Sequence, residues 1–462
     1  MQRDNALDVG RMIDERPMGN YQKLVVFLGF LIIAMDGFDV SVISFIAPQL
    51  RSSWGITAQM LGPVISAALI GLAVGAVVAG PMADRFGRRG VLLISVAFVA
   101  VWTIATAFST SVTELVIYRF FAGIGLGAAM PNTGTLVAEF APKRRRALVV
   151  TLAFTGFSFG AAGGGFLAAW MIPAFGWQSV VLVGGVLPLI LVPVLWLWMP
   201  ESVGHMIVKG APRERIAKVV NRVAPGVANA KTPFLWEQSE SAEKSGSAQQ
   251  GNPIKMILSG RYLFGTLMLW VTYFVGLFLV YLLGSWLPTL VKDIGYTVSE
   301  AAIVTSLYQI GGTTGALTIG YFLDRVNGHK AMALIYVVGA AVVYLLGQSS
   351  HQFALLAVFA FLAGICITGT SVGTSALAAQ YYPLESRATG LSWMHGMGRW
   401  GGILSAFAGA QMISWGWNFE HVFNFLMIPS LVVAAALVAK DMHDRKTDTQ
   451  AQTGASLKTR AG

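Results

Sequence analysis

Long apolar runs alternate with short polar segments along the chain, in a pattern that predicts membrane-crossing helices. The runs are close to the ~20 apolar residues that one bilayer crossing requires. Six runs precede a polar stretch at 201–258 and six follow it, which predicts an all-α membrane protein with twelve transmembrane helices. The runs cover residues 24–47, 58–81, 91–108, 113–138, 147–171, 178–199, 262–288, 298–322, 331–347, 353–378, 389–413 and 421–439.

The composition supports this prediction. Of the 462 residues, 55% are hydrophobic and only 12% are charged, whereas charged residues make up about 25% of a typical soluble domain. These values exclude an ordinary cytosolic enzyme, a disordered protein and a secreted module. The single cysteine, Cys366, excludes a disulfide framework and cysteine-based metal sites, and we expect no metal and no other cofactor.

The basic residues indicate the topology. Of the 32 lysines and arginines, only Arg51 and Lys292 lie in the loops of one side, Arg119 and Arg399 lie inside runs, and 28 lie in the remaining loops and tails. Positive charge collects on the cytoplasmic side of membrane proteins, so both termini and segment 201–258 are predicted to be cytoplasmic. The net charge of +10 therefore indicates topology, and no nucleic-acid partner is expected.

The runs divide the chain into five predicted parts. Within the central loop, residues 212–225 are predicted to form an amphipathic surface helix, and residues 237–253 are of low complexity. The polar N-terminus is followed by a run too long for a signal-peptide core, so no cleaved signal is predicted. The parts are an N-terminal tail (1–23), a first six-helix half (24–200), a central loop (201–258), a second six-helix half (259–440) and a C-terminal tail (441–462).

The two halves resemble each other at a constant offset. Shifting the sequence by about 240 residues places Gly80-Pro-Met-Ala-Asp84-Arg85 on Gly320-Tyr-Phe-Leu-Asp324-Arg325, and Pro142…Arg146 on Pro383…Arg387. Such matches in chain order indicate duplication. Parallel six-helix repeats are typical of transporters whose halves rock around a central site.

Two acidic residues in the first run are candidates for proton coupling. Asp36 and Asp39 are three positions apart and therefore share one helix face. An acid at that depth costs ~2.5–3.5 kcal/mol on insertion scales, and such residues are usually functional. Their counterparts in the second half are Gly276 and Leu279, so the fold alone does not require the acids. A packing role for the pair remains the alternative.

Basic and polar residues inside other runs are candidates for binding a substrate anion. Arg399 presents a guanidinium group that matches a carboxylate in a bidentate manner. Arg119 could hold the anion or tune the pKa of the two acids. His395 lies one turn before Arg399 and is equally consistent with a ligand, a proton relay or a packing histidine. Asn132 and Gln309 are lesser candidates.

Structural pairing is the alternative for both arginines. Arg399 could be held permanently by Asp36 or Asp39, and Arg119 by a residue such as Glu114. Aromatic residues at helical spacings in the second half, including Tyr273 and Tyr281, are expected in part to surround a ring-shaped substrate. The glycine-rich stretches at 123–127 and 156–165 are predicted to permit close helix packing rather than to bind phosphate.

Several motifs resemble those of known transporters. Gly80-Pro-Met-Ala-Asp-Arg-Phe-Gly-Arg-Arg89 resembles the signature loop of the major facilitator superfamily, and Arg119–Gly127 and Pro200-Glu-Ser202 resemble its fourth- and sixth-helix motifs. Asp36-Gly-Phe-Asp39 resembles the aromatic acid:proton symporters. Strings such as SWLPTL (285–290) and RATGLSWMHGMGRWG (387–401) are most similar to the bacterial 4-hydroxybenzoate/protocatechuate transporters. Gly204 departs from the pattern, because the family usually has arginine there, so Pro200–Ser202 is given no binding role.

The resemblance implies a function and a set of gating residues. It implies a monomeric symporter in the bacterial inner membrane that imports a small aromatic carboxylate with protons by alternating access. Charged loop residues would hold the two halves together on the inner side, with a degraded second copy because Asn327 and Gly328 replace Gly87 and Arg88. The implied gating residues are Gly80, Asp84, Arg85, Gly87, Arg88, Arg89, Glu139, Arg146, Asp324, Arg325 and Arg387.

Other functions share parts of this pattern. A proton-coupled antiporter that exports drugs or metabolites would have the same fold and signature loop. A non-transporting chemoreceptor for aromatic acids would need a signalling surface, and segment 201–258 has no evident partner-binding domain. A membrane enzyme is disfavoured, because no catalytic triad spacing, metal cluster or nucleotide loop stands out.

Overall fold

The predicted architecture of twelve long helices is confirmed. A computed structural model describes residues 6–236, 253–323, 327–383 and 386–460. The long helices, here α1 to α12, are Asn20–Trp54, Ala58–Phe86, Arg88–Ala107, Val112–Phe140, Arg146–Phe175, Trp177–Trp198, Gly260–Asp293, Val298–Leu323, Gly328–Gln348, Phe353–Tyr381, Arg387–Ser414 and Phe419–Arg460. One π-helical turn, Gly364–Thr368, interrupts α10.

Ten of these helices, in the described part of the chain, are long and apolar enough to cross a membrane by length and composition alone. The other two are α8 and α11, which are long enough but contain many glycine and polar residues. Gln309 lies in α8, and His395 and Arg399 lie in α11. Thus α11, which carries the candidate residue Arg399, is one of the two long helices with the weakest apolar character.

The chain forms two compact units. Unit 1 contains Met1–Ile46 and Pro63–Gln250, and unit 2 contains Ala47–Gly62 and Gly251–Gly462. In unit 1, glycines bring α1 against α5 and α2 against α4. A Cβ added at Gly37 would overlap the backbone of Phe157, and one added at Gly123 would overlap the backbone of Ala68.

Unit 2 repeats this packing in the corresponding helices. A Cβ at Gly401 in α11 would overlap the backbone of Phe274 in α7, and a Cβ at Gly311 in α8 would overlap the backbone of Phe361 in α10. The prediction that the glycine-rich stretches serve close helix packing is confirmed for 123–127 and 156–165. The shared use of glycine at corresponding helix pairs agrees with the duplication inferred from the sequence.

Short elements form a cap on unit 1, defined here as residues 7–15 and 203–235. Leu7–Asp8 pairs in parallel with Phe234–Leu235, two strands that the sequence analysis did not predict. The amphipathic helix predicted at 212–225 is observed at Arg213–Val223, where it buries Ile216, Ala217 and Val220. The low-complexity segment at 237–253 lies, up to residue 252, outside the described residues. The remaining short helices are Val9–Glu15, Lys143–Arg145, Val203–Val208 and Pro253–Ile257.

Candidate functional site

The two acidic residues of α1 are buried side by side in unit 1. Asp36 is 4% exposed and Asp39 is fully buried. Gly37 lies between them, and because it has no side chain the backbone of α5 at Phe157 approaches α1 closely. The carboxylates are thus enclosed by helix packing and not by loops, which fixes their position.

Asp39 is the centre of a buried polar network that joins α1, α3 and α4. Thr103 Oγ1 donates a hydrogen bond of 2.5 Å to Asp39 Oδ1. Arg119 Nη1 lies 3.0 Å from Oδ1 and 2.9 Å from Oδ2, and Nη2 donates to the backbone carbonyl oxygen of Asp39 at 2.8 Å. Arg119 is also fully buried. A buried arginine bonded to both the carboxylate and the backbone of one aspartate neutralises that aspartate and anchors α4 to α1.

The structure replaces the suggested pairing of Arg119 with Glu114 by the pairing with Asp39. Glu114 accepts hydrogen bonds from the backbone N and Oγ1 of Thr110 at 2.7 and 3.1 Å. It therefore caps the start of α4, where a negative charge interacts favourably with the helix dipole. Sequence reasoning considered a partner on the same helix, whereas the actual partner lies 80 residues away.

Asp36 differs from Asp39 in that no side chain of the described residues forms an ion pair or a hydrogen bond with its carboxylate. Among the described residues, no hydrogen-bond donor reaches its buried Oδ2 atom, and no cation forms an ion pair with it. An ionised carboxylate in such a place costs free energy, because burial removes water and nothing replaces it. The two acids that the sequence presents as equivalent therefore have different environments.

Asn132, the other polar candidate in α4, bonds within its own helix. Its Nδ2 atom donates to the carbonyl oxygen of Ala128 at 2.8 Å, and the residue is 5% exposed. This contact satisfies the buried amide locally. In unit 2, Gln309 in α8 lies near Gly284 of α7, where an added Cβ would be 3.6 Å from Gln309 Nε2.

Arg399 lies in α11 among aromatic residues of α7. The ring of Tyr273 lies over Gly398, and a Cβ added at Gly402 would come within 2.8 Å of the ring of Tyr281. Arg399 interacts electrostatically with both tyrosines. It is half-buried and, within the described part of unit 2, forms no ion pair. Two tyrosines of α7 thus pack against α11 one residue before and three residues after Arg399.

His395 lies one turn from Arg399, within its electrostatic range. Its Nε2 atom is 3.1 Å from Ser375 Oγ in α10, and its ring lies 5.0 Å from that of Tyr273 at an interplanar angle of 30°. His395 itself is exposed. The structure therefore brings two of the predicted residues, Arg399 and His395, together on one face of α11.

A second polar cluster, here the Arg88 network, lies at the junction of α3, α4 and the segment after α6. Arg88 Nη1 is 2.5 Å from Glu139 Oε1 and donates to Ser202 Oγ at 2.8 Å, while Ser202 Oγ donates to Glu139 Oε2 at 2.5 Å. Glu201 accepts from the backbone N of Arg89 at 3.2 Å. The structure thus gives Pro200–Ser202 a role in this network, although the departure at Gly204 led the sequence analysis to assign it no binding role.

The other predicted gating residues have more varied surroundings. Gly87 has a φ of 89°, and a Cβ there would collide with the carboxylate of Glu201, so glycine is required on both counts. Arg89 donates to the carbonyl oxygen of Trp196. Asp84 and Arg146 line a cavity of about 470 Å³ beside the Arg88 network, and Asp84 is exposed.

Three further members of that set, Gly80, Arg85 and Arg387, have separate surroundings. Arg85 is exposed and lies over the ring of Phe86 at 5.3 Å, and a Cβ at Gly80 would meet nothing within 4 Å. Arg387 Nε donates to the carbonyl oxygen of Tyr382 at 3.5 Å. Asp324 and Arg325 lie outside the described residues.

Comparison with known proteins identifies the family. The family model for the Major Facilitator Superfamily matches residues 29–297 and 269–460. The 4-hydroxybenzoate transporter PcaK of Pseudomonas putida is 44% identical over 438 residues, covering 95% of this chain and 96% of the relative. A gallate transporter of Pseudomonas putida is also 44% identical, over 450 residues, with 97% and 98% covered.

A solved structure agrees with the fold. The inward-open conformation of the xylose transporter XylE from E. coli has a TM-score of 0.71 at 18% identity, covering 90% of this chain and 95% of that chain. At this identity the likeness concerns the fold alone. Together with the family match, these similarities show a multi-pass membrane transporter and not an enzyme, and the chain belongs to the Major Facilitator Superfamily.

Proposed function

We propose that the chain imports a small aromatic carboxylate, such as 4-hydroxybenzoate, together with protons by alternating access. The proposed location is the bacterial inner membrane, with both termini in the cytoplasm. The substrates named for the 4-hydroxybenzoate and gallate transporters support the substrate class. The observation that carries proton coupling is the buried, unpartnered carboxylate of Asp36.

Asp36 is the proposed proton carrier. Its charged form has no counter-ion within the described residues, so binding a proton removes the cost of a buried charge. Asp39 already has its charge compensated by Arg119 at 2.9 Å, so it is not the proposed carrier. Only one of the two acids then exchanges a proton. One proton per monoanion moves no net charge, so a pH gradient drives transport and a membrane potential alone does not.

Arg399 is the proposed anchor for the substrate carboxylate. Its guanidinium offers paired donors in a plane, which match the two oxygens of a carboxylate. Tyr273 and Tyr281 lie over small residues of α11 next to it, and they would contact the faces or edges of an aromatic ring. Arg119 is assigned a structural role in this proposal, because its Nη1 and Nη2 atoms are bonded to Asp39.

The Arg88 network is proposed to act in gating. Its members join α3 and α4 to the segment after α6 through short, charge-assisted bonds. Bonds of this kind hold one arrangement and must be exchanged for others when helices move. Asp84 and Arg146 line the adjacent cavity and are proposed to take part in the same exchange.

Uptake of radiolabelled 4-hydroxybenzoate into proteoliposomes tests the proposal. We expect uptake when the outside is acidic, and none when only a membrane potential is imposed. Asp36→Asn and Arg399→Ala should abolish gradient-driven uptake. Asp14→Asn and Arg215→Ala, which change the same residue types in peripheral segments, should retain it.

Each alternative gives a different result. Gradient-driven uptake that persists in Asp36→Asn at wild-type level would refute the role of Asp36. Uptake without any dependence on pH would show that transport is not coupled to protons and would identify a facilitator. Export of the acid against an inward proton gradient would identify an antiporter.

A further inference from the structure

A polar cluster at one end of unit 2 surrounds a buried lysine of α12. Lys440 is fully buried, and its Nζ atom donates to Asp444 Oδ2 at 2.6 Å in the same helix. The same atom lies 3.0 Å from His329 Nε2 at the start of α9 and 3.8 Å from the centre of the Tyr381 ring at the end of α10. A buried charge requires partners of this kind, so Lys440 connects the ends of three helices.

A second set of contacts links the same two helices, α9 and α12. Asp441 is 8% exposed, accepts a hydrogen bond from Asn327 Nδ2 at 3.2 Å, and forms an ion pair with Arg445 Nε at 3.0 Å. Asn327 also caps the start of α9, because its Oδ1 atom accepts from the backbone N of Lys330 at 3.1 Å. The Lys440 cluster, as this set is called here, comprises Asn327, His329, Lys440, Asp441, Asp444 and Arg445.

This cluster occupies the position in unit 2 that the Arg88 network occupies in unit 1. At the offset of 240 residues, Asp441 corresponds to Glu201 and His329 corresponds to Arg89. In unit 1 the central cation stands at the start of α3, whereas in unit 2 it comes from the end of α12 and bonds to a histidine at the start of α9. The second network therefore contains a partner whose charge changes near neutral pH.

The bond between Lys440 and His329 requires a neutral imidazole. An ammonium group has no acceptor, so Nε2 of His329 must accept and cannot carry a proton. Among the described residues, the charged groups that interact with His329 lie on α12: Lys440, Asp441, Asp444 and Arg445. On α9 itself, Lys330 is exposed, and α10 contributes the neutral phenol ring of Tyr381. The two cations and two anions of α12 balance, so a proton on His329 adds an uncompensated positive charge 3.0 Å from an ammonium group.

We propose that the His329–Lys440 pair is a pH-sensitive lock that slows import when the cytoplasm becomes acidic. This inference rests on the proposed function, which places this end of unit 2 at the cytoplasm. Neutral His329 holds the start of α9 against α12, and its protonation breaks that bond. Alternating access moves each half largely as a rigid body, so loosening these helix ends lowers the rate of transport. Because each cycle delivers an acid and a proton to the cytoplasm, the lock provides negative feedback.

Counterflow of radiolabelled 4-hydroxybenzoate in proteoliposomes tests the lock. The pH is the same on both sides, so no gradient contributes, and exchange is measured at several pH values. His329→Gln keeps a side-chain oxygen that accepts from Lys440 and cannot be protonated, whereas His329→Arg carries a permanent positive charge. His351→Gln, at an exposed site between α9 and α10, is the control.

We expect exchange by the wild type and by His351→Gln to fall about three- to tenfold relative to His329→Gln between about pH 7.5 and about pH 5.5, the effect of losing one hydrogen bond as a histidine gains its charge. His329→Arg should be slow at both pH values. If that variant does not fold, the comparison of His329→Gln with the wild type decides the question.

Two results would overturn the inference while the proposed function stands. One is the same pH profile for the wild type and His329→Gln, and the other is a His329→Gln variant that is inactive at every pH, which would show a structural role. The loss of gradient-driven uptake in Asp36→Asn is measured separately and does not depend on either result. Absence of any aromatic-acid exchange by the wild type at all pH values would overturn both proposals.

Discussion

Replacing Arg119 by methionine should strongly destabilise the protein, because it leaves the charge of Asp39 buried and uncompensated. Both side chains are fully buried, and after the change only Thr103 would remain bonded to the carboxylate. Removing one partner of a buried ion pair costs about 3–5 kcal/mol. At 1.36 kcal/mol per factor of ten, the folded population should fall relative to the unfolded one by roughly a hundredfold to several thousandfold.

The assay is the yield and thermal stability of the purified protein, followed by size-exclusion chromatography in detergent. Arg119→Met should give little monodisperse protein. The double variant Arg119→Met/Asp39→Asn removes both charges and should recover much of the lost yield, since a neutral pair carries no ionic desolvation cost. A single variant as stable as the wild type, or a double variant no better than the single, would refute the assignment of Arg119 as the counter-ion of Asp39.

Two further predictions concern packing and surface charge. Gly160→Leu should destabilise the folded protein by ~1–3 kcal/mol or more, because an added Cβ overlaps the backbone of Ala34. The control is Gly163→Leu, which should fold normally because a Cβ there meets nothing within 4 Å. Equal stability of the two variants would contradict the close approach of α1 and α5. Arg51 binds both carboxylate oxygens of Asp293 at 3.0 and 2.8 Å in a partly exposed pair, worth ~0.2–1 kcal/mol. Arg51→Asp should therefore lower the melting temperature slightly and Arg51→Asp/Asp293→Arg should restore it, whereas an additive second loss would show that the pair contributes nothing.

The helices could be predicted because each membrane crossing requires a run of apolar residues, and such a run can be recognised in the sequence itself. The sequence also predicts that Asp36 and Asp39 share a face, since their spacing fixes it. It does not predict which acid has a partner. That difference depends on Thr103 and Arg119, which belong to other helices and reach Asp39 only through side-chain packing.

Short elements and their contacts were harder to predict, because they also depend on residues that are distant in the sequence. The strand Leu7–Asp8 has two residues, too few for an alternating pattern. Glu201 and Ser202 stand in a motif that the sequence displays, yet their bonds to Arg88 and Arg89 require the chain to turn back after α6. In α11 the helical spacing alone places His395 beside Arg399, while Ser375 and Tyr273 become visible only in the folded protein.

The pairing of Leu7–Asp8 with Phe234–Leu235 has a consequence for how the protein is made. Leu7 N donates to the carbonyl oxygen of Pro233 at 2.8 Å, so the chain closes into a ring that contains the first six membrane helices. During synthesis the N-terminal segment has no strand to pair with until residue 235 has left the ribosome. The ring around the first six helices can therefore close only after the chain has been synthesised past residue 235. A truncation that removes Leu7 and Asp8 would therefore leave the strand Phe234–Leu235 unpaired.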